Sequence, residues 1–337
     1  MGYFPNCLLM ADRFDICEKQ ARGLFHHSIA DAFFRQVPGI DYREALRAMQ
    51  MDINYAGNED FRTQGLTSYP VHTLDLNCAC HAGEQVARAI GEPRLAADFA
   101  VHVSNWKNVM AEDGLLPASI DYYEGSNRNY SFRILPDMQA RMALFPSRQD
   151  FVAALDDYFG FGAQPVGQAG YTCEPAGEEQ MRWGCSLARF EGINNEPDMD
   201  APYNYAWAGR HDRICEIVRS AMVSVFGLDG AGALPGNDDS GALTSWFVWN
   251  ALGIFPITGR DLFMIGSPTV RRACLKLAAG IFAISTAGCG IYVQRAFLND
   301  TEIFRSYLAV CEVMQGGRLH LVMGEQPSDF GTRDLPD

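Results

Sequence analysis

The hydrophobic period of this 337-residue chain changes once, close to residue 260, and that change restricts the fold more than any other feature. Upstream, apolar residues recur at helical spacing. Tyr42–Met51 and Gly83–Ile90 read as short helical stretches, and Leu95–Met110 follows Pro93 with Leu95, Phe99, Val103, Trp106 and Met110 in phase. Gln149–Phe159 gathers Phe151, Val152, Leu155, Tyr158 and Phe159 on one face, and Arg213–Phe226 does the same with Ile214, Ile217, Val218, Met222 and Val225. Thr244–Leu252 is apolar nearly all round, the pattern of a buried helix. Downstream of Gly259 the segments are short, alternating and bounded by glycine: Cys274–Leu277, Gly280–Ser285, Gly290–Phe297, Ser306–Val313 and Arg318–Met323, with Gly316-Gly317 as a turn. The pattern predicts a helical domain over 1–259 and a small β domain over 260–337. The charge-free run Leu277–Val293 approaches the length of a membrane span. Its glycines (Gly280, Gly288, Gly290) with Ser285 and Thr286 fit two strands around a turn better, so no membrane span is expected.

Charge narrows the partners. Asp plus Glu number 41 against 27 Lys plus Arg, a formal net charge of −14. Such a chain repels phosphate backbones, so nucleic-acid binding by general charge is excluded as an expectation. Excess carboxylate suits neutral substrates and hard cations. The 10 cysteines are scattered, only Cys78 and Cys80 standing close together, and are expected mostly as small buried hydrophobes. Cys78-Ala79-Cys80-His81 lacks a second ligand pair for zinc and reads as helix packing. Met1–Asn6 has neither the basic start nor the apolar core of a secretory signal.

The long inter-helix stretches Pro117–Asn129, Gly160–Asp200 and Asp229–Asp239 are rich in Gly, Asn, acids and aromatics, and loops this long are commonly functional. Three motifs stand out: Asp121-Tyr122-Tyr123-Glu124-Gly125-Ser126, Asn194-Asn195-Glu196-Pro197-Asp198, and Pro235-Gly236-Asn237-Asp238-Asp239-Ser240-Gly241. Each sets carboxylates among amides, glycine and aromatics, residue types that grip sugar hydroxyls and stack on sugar faces. Glycosidic cleavage needs two carboxyl groups flanking the scissile bond, one protonated and one ionised. Glu124 and Asp239 come from different loops and suit that task. Asp238-Asp239-Ser240 immediately before a helix reads equally well as capping chemistry. Asn195-Glu196-Pro197 reads equally as a turn.

These motifs resemble glycoside hydrolase family 92, the calcium-dependent exo-acting α-mannosidases. Gly236–Pro268 (GNDDSGALTSWFVWNALGIFPITGRDLFMIGSP) is similar to the family's G-N-x-D-x-G, S-W-(Y/F)-V, A-L-G-x-(F/Y)-P and I-G-S-P blocks, in that order. Asn194–Gly209 resembles its N-E-P segment, and Tyr122–Phe132 its E-G-x-x-x-x-Y-S-F acid loop. The resemblance implies a mainly α fold, a partial (α/α)6 barrel followed by a small C-terminal antiparallel β domain. It implies hydrolysis of terminal α-linked mannose with inversion and a requirement for Ca2+. Carried onto the matching positions, Glu124 is the general acid and Asp239 the general base, with Asp238 beside it in the catalytic group. Asn237, Tyr123 and Trp246 are the substrate-binding expectation, and Asn195 and Glu196 are placed near the metal. The substrate partner is a carbohydrate, mannosides or glycans. The family suggests a secreted or periplasmic location. The acid loop reads Ser126-Asn127-Arg128-Asn129 where many members carry a tryptophan, and Pro136-Asp137 stands where several have His-Asp. Members normally carry an N-terminal β-sandwich and the first barrel helices ahead of this region, so the chain is expected to correspond to a C-terminal half and to associate with the missing N-terminal half. The alternative is an inactive or sugar-binding fragment.

Overall fold

The computed structural model describes residues 21–123, 125–161, 193, 195–227, 233–236 and 238–337. They divide into two compact units. The first holds the residues up to Tyr123 with Leu135–Asp137 and Thr258–Asp261, and the second holds Glu124–Ile134, Met138–Ile257 and Leu262–Asp337.

The first unit is helical: α1 Leu24–Phe34, α2 Tyr42–Ile53, α3 Glu59–Gln64, α4 Pro70–Ala89, α5 Pro93–Ala100 and a one-turn 3-10 segment Asn105–Val109. Asp41 starts α2 by accepting the backbone N–H groups of Arg43 and Glu44, so two orphan donors of the first turn are satisfied. Pro70, at the first position of α4, needs no N–H partner there. The core joins Ala30, Leu46, Met49, Phe61, Leu76, Ala79, Val86 and Phe99. Gly83 lets Phe99 lie flat on α4, because a Cβ there would stand 2.9 Å from its ring.

α4 is far longer than the Gly83–Ile90 stretch that periodicity predicts. Its first half carries polar residues on buried positions, His72, Thr73, Asp75 and Asn77. Partners elsewhere in the unit make their burial tolerable. The Arg22 backbone N–H donates to Asp75 at 2.9 Å, and the Thr73 hydroxyl accepts the Thr67 N–H at 2.9 Å. Cys78 and Cys80 are buried in this helix, as the packing interpretation expected.

The second unit contains α6 Asn127–Ser131, α7 Met138–Met142, α8 Arg148–Tyr158, one-turn segments Glu196–Asp198 and Ala201–Ala206, α9 His211–Ser224 and α10 Ala242–Leu252. Strands follow: β1 Ile254–Pro256, β2 Phe263–Ile265, β3 Arg272–Leu277, β4 Gly280–Gly288, β5 Tyr292–Leu298, β6 Thr301–Ile303 and β7 Tyr307–Leu308; then α11 Val310–Met314 and β8 Gly317–Gly324. β1, β2 and β7 form an antiparallel sheet, and the larger sheet runs in the order β3-β4-β8-β5-β6. A chain of polar contacts holds helix to sheet. Arg213 on α9 pairs with Asp156 on α8 at 3.0 Å and with Glu216 at 2.8 Å, and the Tyr292 hydroxyl on β5 donates to Glu216 at 2.8 Å.

The mainly helical fold followed by a β region is therefore present, with corrections in detail. The large sheet is mixed, not antiparallel, because β8 pairs parallel to β4 (Ile284 with Leu319). Ser306–Val313 is only briefly a strand before α11 begins. The Glu312 carboxylate reaches back to the Ala309 N–H at 2.8 Å and so favours a helical turn, which buries Val310 and Val313. α10 is not buried all round: Leu243, Trp246 and Asn250 face inward, while Phe247 is 36% and Val248 51% exposed. Of the described cysteines, Cys274, Cys289 and Cys311 are exposed, against the expectation of burial. No helix among the described residues is long and apolar enough to cross a membrane.

Candidate active site

Three segments of the second unit carry most of the described residues of the sequence-predicted site. The first is the turn Gly125-Ser126 leading into α6, which follows Glu124 directly in the chain. Ser126 caps α6: its hydroxyl accepts the Arg128 N–H at 3.2 Å, and its own N–H donates to the Asn129 side-chain oxygen at 2.7 Å. Arg128 is held by Asp157 at 2.6 Å. Glu124 itself lies outside the described residues.

The second segment is Asn195–Asp200. The Asn195 side-chain oxygen accepts the Glu196 N–H at 2.9 Å, an Asx turn that starts the one-turn helix Glu196–Asp198. This segment is bonded on two sides. Toward α6, Asp198 accepts from the Asn129 amide at 2.8 Å, and Asp200 accepts the Ile134 N–H at 3.2 Å. Toward α10, the Met199 carbonyl accepts the Trp246 indole N–H at 3.0 Å. Trp246 is 1% exposed and lies parallel to the Phe226 ring, with centroids 5.5 Å apart. The structure therefore places Trp246 in the packing behind the loops.

The third segment leads into α10. Asp238 bonds Thr244 with both oxygens, accepting its N–H at 2.9 Å and its hydroxyl at 2.6 Å. These bonds hold the Asp238 carboxyl below its ordinary pKa of 3.8. Ser240 and Gly241 then both take left-handed conformations (φ 54 and 76), so the chain reverses sharply before the helix. Asp239, between cap and reversal, is exposed; its backbone carbonyl accepts the Ala242 N–H, while its carboxylate takes no part in these bonds. Asn237 lies outside the described residues. Asp238 is thus engaged with Thr244, and Asp239 is exposed.

Tyr123 belongs to the first unit, where its N–H donates to the Tyr69 hydroxyl at 3.0 Å. The Tyr122 hydroxyl there donates to the Pro117 carbonyl at 2.9 Å, and burial pushes its pKa up to about 12. For a hard cation the second unit offers the Asn195 amide oxygen and the Glu196 carboxylate. Both are of the right hardness but form only part of the six to eight oxygens calcium takes. Among the described residues no group of three or more His, Cys, Asp or Glu is arranged to hold a metal. Asp198 is named in the sequence motif, where sequence reasoning assigns it no role. Its only signal was its position two residues after Glu196 in the N-E-P motif.

The fold recurs in solved structures. A family 92 α-mannosidase from Bacteroides thetaiotaomicron superposes with a TM-score of 0.78 at 20% identity, over 93% of this chain and 44% of that one. A family 92 inverting mannosidase from the same organism gives 0.75 at 23% identity, over 92% of this chain and 47% of that one. The chain thus spans less than half the length of these structures. By sequence it is 26% identical over 238 residues to an uncharacterized secreted glycosidase of Arthroderma benhamiae, a match covering 68% of this chain and 27% of that protein. The sequence model of the glycosyl hydrolase family 92 catalytic domain matches residues 25–325, from α1 to just past β8, and so takes in all three loop segments. On that match this chain belongs to glycosyl hydrolase family 92.

Proposed function

We propose that the chain carries the catalytic carboxylates of an exo-acting α-mannosidase that releases terminal α-linked mannose from oligosaccharides or glycans with inversion. The observation that supports this most is the double attachment of Asn195–Asp200, to α6 beside the Glu124 loop and to α10 behind the Asp239 loop. One segment is thus bonded to the helices that follow both loops. In this reading Glu124 protonates the leaving oxygen while Asp239 takes a proton from the attacking water. The solvent exposure of Asp239 suits a group that must meet water. Inversion calls for about 6.5–9.5 Å between the two carboxyls, so that the water fits between base and sugar. Asp238 fixes the Asp239 loop through Thr244, and Trp246 supports the N-E-P segment from behind. Asn237 and Tyr123 are proposed to contact the sugar.

Asn195 and Glu196 are proposed to contribute oxygens to a Ca2+ site, the remaining ligands being water and sugar hydroxyls. When bound, the ion would polarise those hydroxyls and favour a distorted ring. Export from the cell is proposed by analogy with the secreted relative. A second reading follows from the chain spanning under half of its solved relatives: the carboxylates work only when a further part of such an enzyme is present.

The test is release of mannose from an aryl α-mannoside, with the product anomer read by NMR. Glu124→Gln and Asp239→Asn should each lower kcat by at least about a hundredfold, with unfolding unchanged. A calcium chelator should abolish turnover and added Ca2+ restore it. Retained activity in both variants would remove these role assignments. Turnover that appears only on adding the N-terminal region of a family 92 relative would establish the second reading.

A further inference from the structure

The strongest arrangement left over is the buried contact between Asp198 and Asn129. Asp198 is 0% and Asn129 1% exposed. Asn129 divides its amide between two neighbours. Its oxygen accepts the Ser126 N–H at 2.7 Å and the Ser126 hydroxyl at 3.1 Å, while its NH2 donates to Asp198 Oδ1 at 2.8 Å. The Tyr158 hydroxyl donates to the same carboxylate oxygen at 2.6 Å. Gly125 lies against the face of this amide: a Cβ there would stand 3.0 Å from the Asn129 oxygen.

An amide can sit either way round in its plane, and what faces it decides which. Asp198 Oδ1 accepts the Tyr158 hydroxyl and the Asn129 amide together, and as an acceptor it obliges Asn129 to turn its NH2 inward and its oxygen toward Ser126. Reversed, the amide would set oxygen against carboxylate and NH2 against the Ser126 N–H, two repulsive contacts in a buried place where unmet polar groups are costly. We infer that Asp198 is a positioning residue for the acid loop: through the Asn129 amide it fixes the Gly125-Ser126 turn, and with it the backbone next to Glu124. This inference rests on the proposed role of Glu124 as general acid.

Asp198→Asn is nearly isosteric and permits both amide orientations. A misplaced general acid harms substrates whose leaving group needs a proton and spares those whose leaving group does not. Asp198→Asn should therefore lower kcat about tenfold or more on a mannoside with a sugar leaving group. On 2,4-dinitrophenyl α-mannoside kcat should change less than about threefold, with KM nearly constant on both substrates. The exchanged pair Asn129→Asp/Asp198→Asn sets the acceptor-only group toward Ser126 and the amide toward Tyr158, and should restore the first activity. Asn129→Ser serves as the second variant if Asp198→Asn does not fold. Equal loss on both substrates, or no loss, would overturn the inference. If the wild-type chain turns over neither substrate, the activity proposal fails independently. Hydrogen exchange then decides the clamp. Faster exchange at Ser126–Asn129 in Asp198→Asn, with the remainder unchanged, supports it, and unchanged exchange there overturns it.

Discussion

At the scale of single residues, buried side chains here are governed by which proton they hold. His211, at the start of α9, donates from Nε2 to the Ile265 carbonyl at 2.9 Å, which leaves Nδ1 to accept from Cys215 across 3.5 Å. Burial keeps both groups neutral: it pushes the imidazole pKa down from 6.5 to about 4 and the thiol up to about 12. In the unfolded chain the imidazole titrates at its ordinary value, so below about pH 6.5 unfolding is favoured by proton uptake. The contribution is complete above that pH, declines as pH falls, and levels off below about 4. Urea unfolding should show a loss on the order of a few kcal/mol across that window. His211→Gln should flatten most of the slope. His81 and His102 are also shifted down, both mainly by burial, and leave a smaller residue. A slope unchanged by His211→Gln would assign the effect elsewhere.

At the scale of elements, legibility followed the kind of interaction that makes each one. α2, α8 and α9 bury one stripe and were readable within a few residues from spacing alone. The front of α4 was hidden because its buried Asp75 and Thr73 depend on Arg22 and Thr67, partners that no local pattern announces. The Asp238-Asp239 pair was visible as a motif, yet the engagement of Asp238 depends on Thr244, six residues beyond it. The role of Asp198 was hidden for the same reason as that of Asp75: its meaning lies in Asn129, 69 residues away. α10 offers a direct check on how its boundaries are set. Gly241 and Gly253 both have left-handed φ, 76 and 83, but a Cβ at Gly241 meets nothing within 4 Å, whereas one at Gly253 would lie 2.7–2.9 Å from Pro268. Gly241→Ala should cost about 1–2 kcal/mol for the backbone alone. Gly253→Ala should cost about 1–3 kcal/mol more for overpacking. Equal midpoints in chemical unfolding would show that Pro268 gives way freely.

At the scale of the whole molecule, the two units differ in how local their contacts are. The first is built largely from consecutive helices around α4, and the second from elements separated by long stretches of chain. β8 sets the order of the large sheet: Leu319 pairs with Ile284 on one side and with Leu298 on the other, so the strand that follows all the others lies in the middle of its sheet. Deleting Gly317–Asp337 should remove cooperative unfolding of the second unit and drive aggregation, read by calorimetry and light scattering. The α1–α5 signals in hydrogen exchange should survive. A soluble, cooperatively unfolding product would contradict this. The placement of β8 also has a consequence for biosynthesis. Before β8 has left the ribosome, β4 and β5 emerge with their inward edges unpaired, and such edges recruit other chains. Premature termination late in translation would therefore release a product with two bare strand edges, one that a cell would have to degrade or shield.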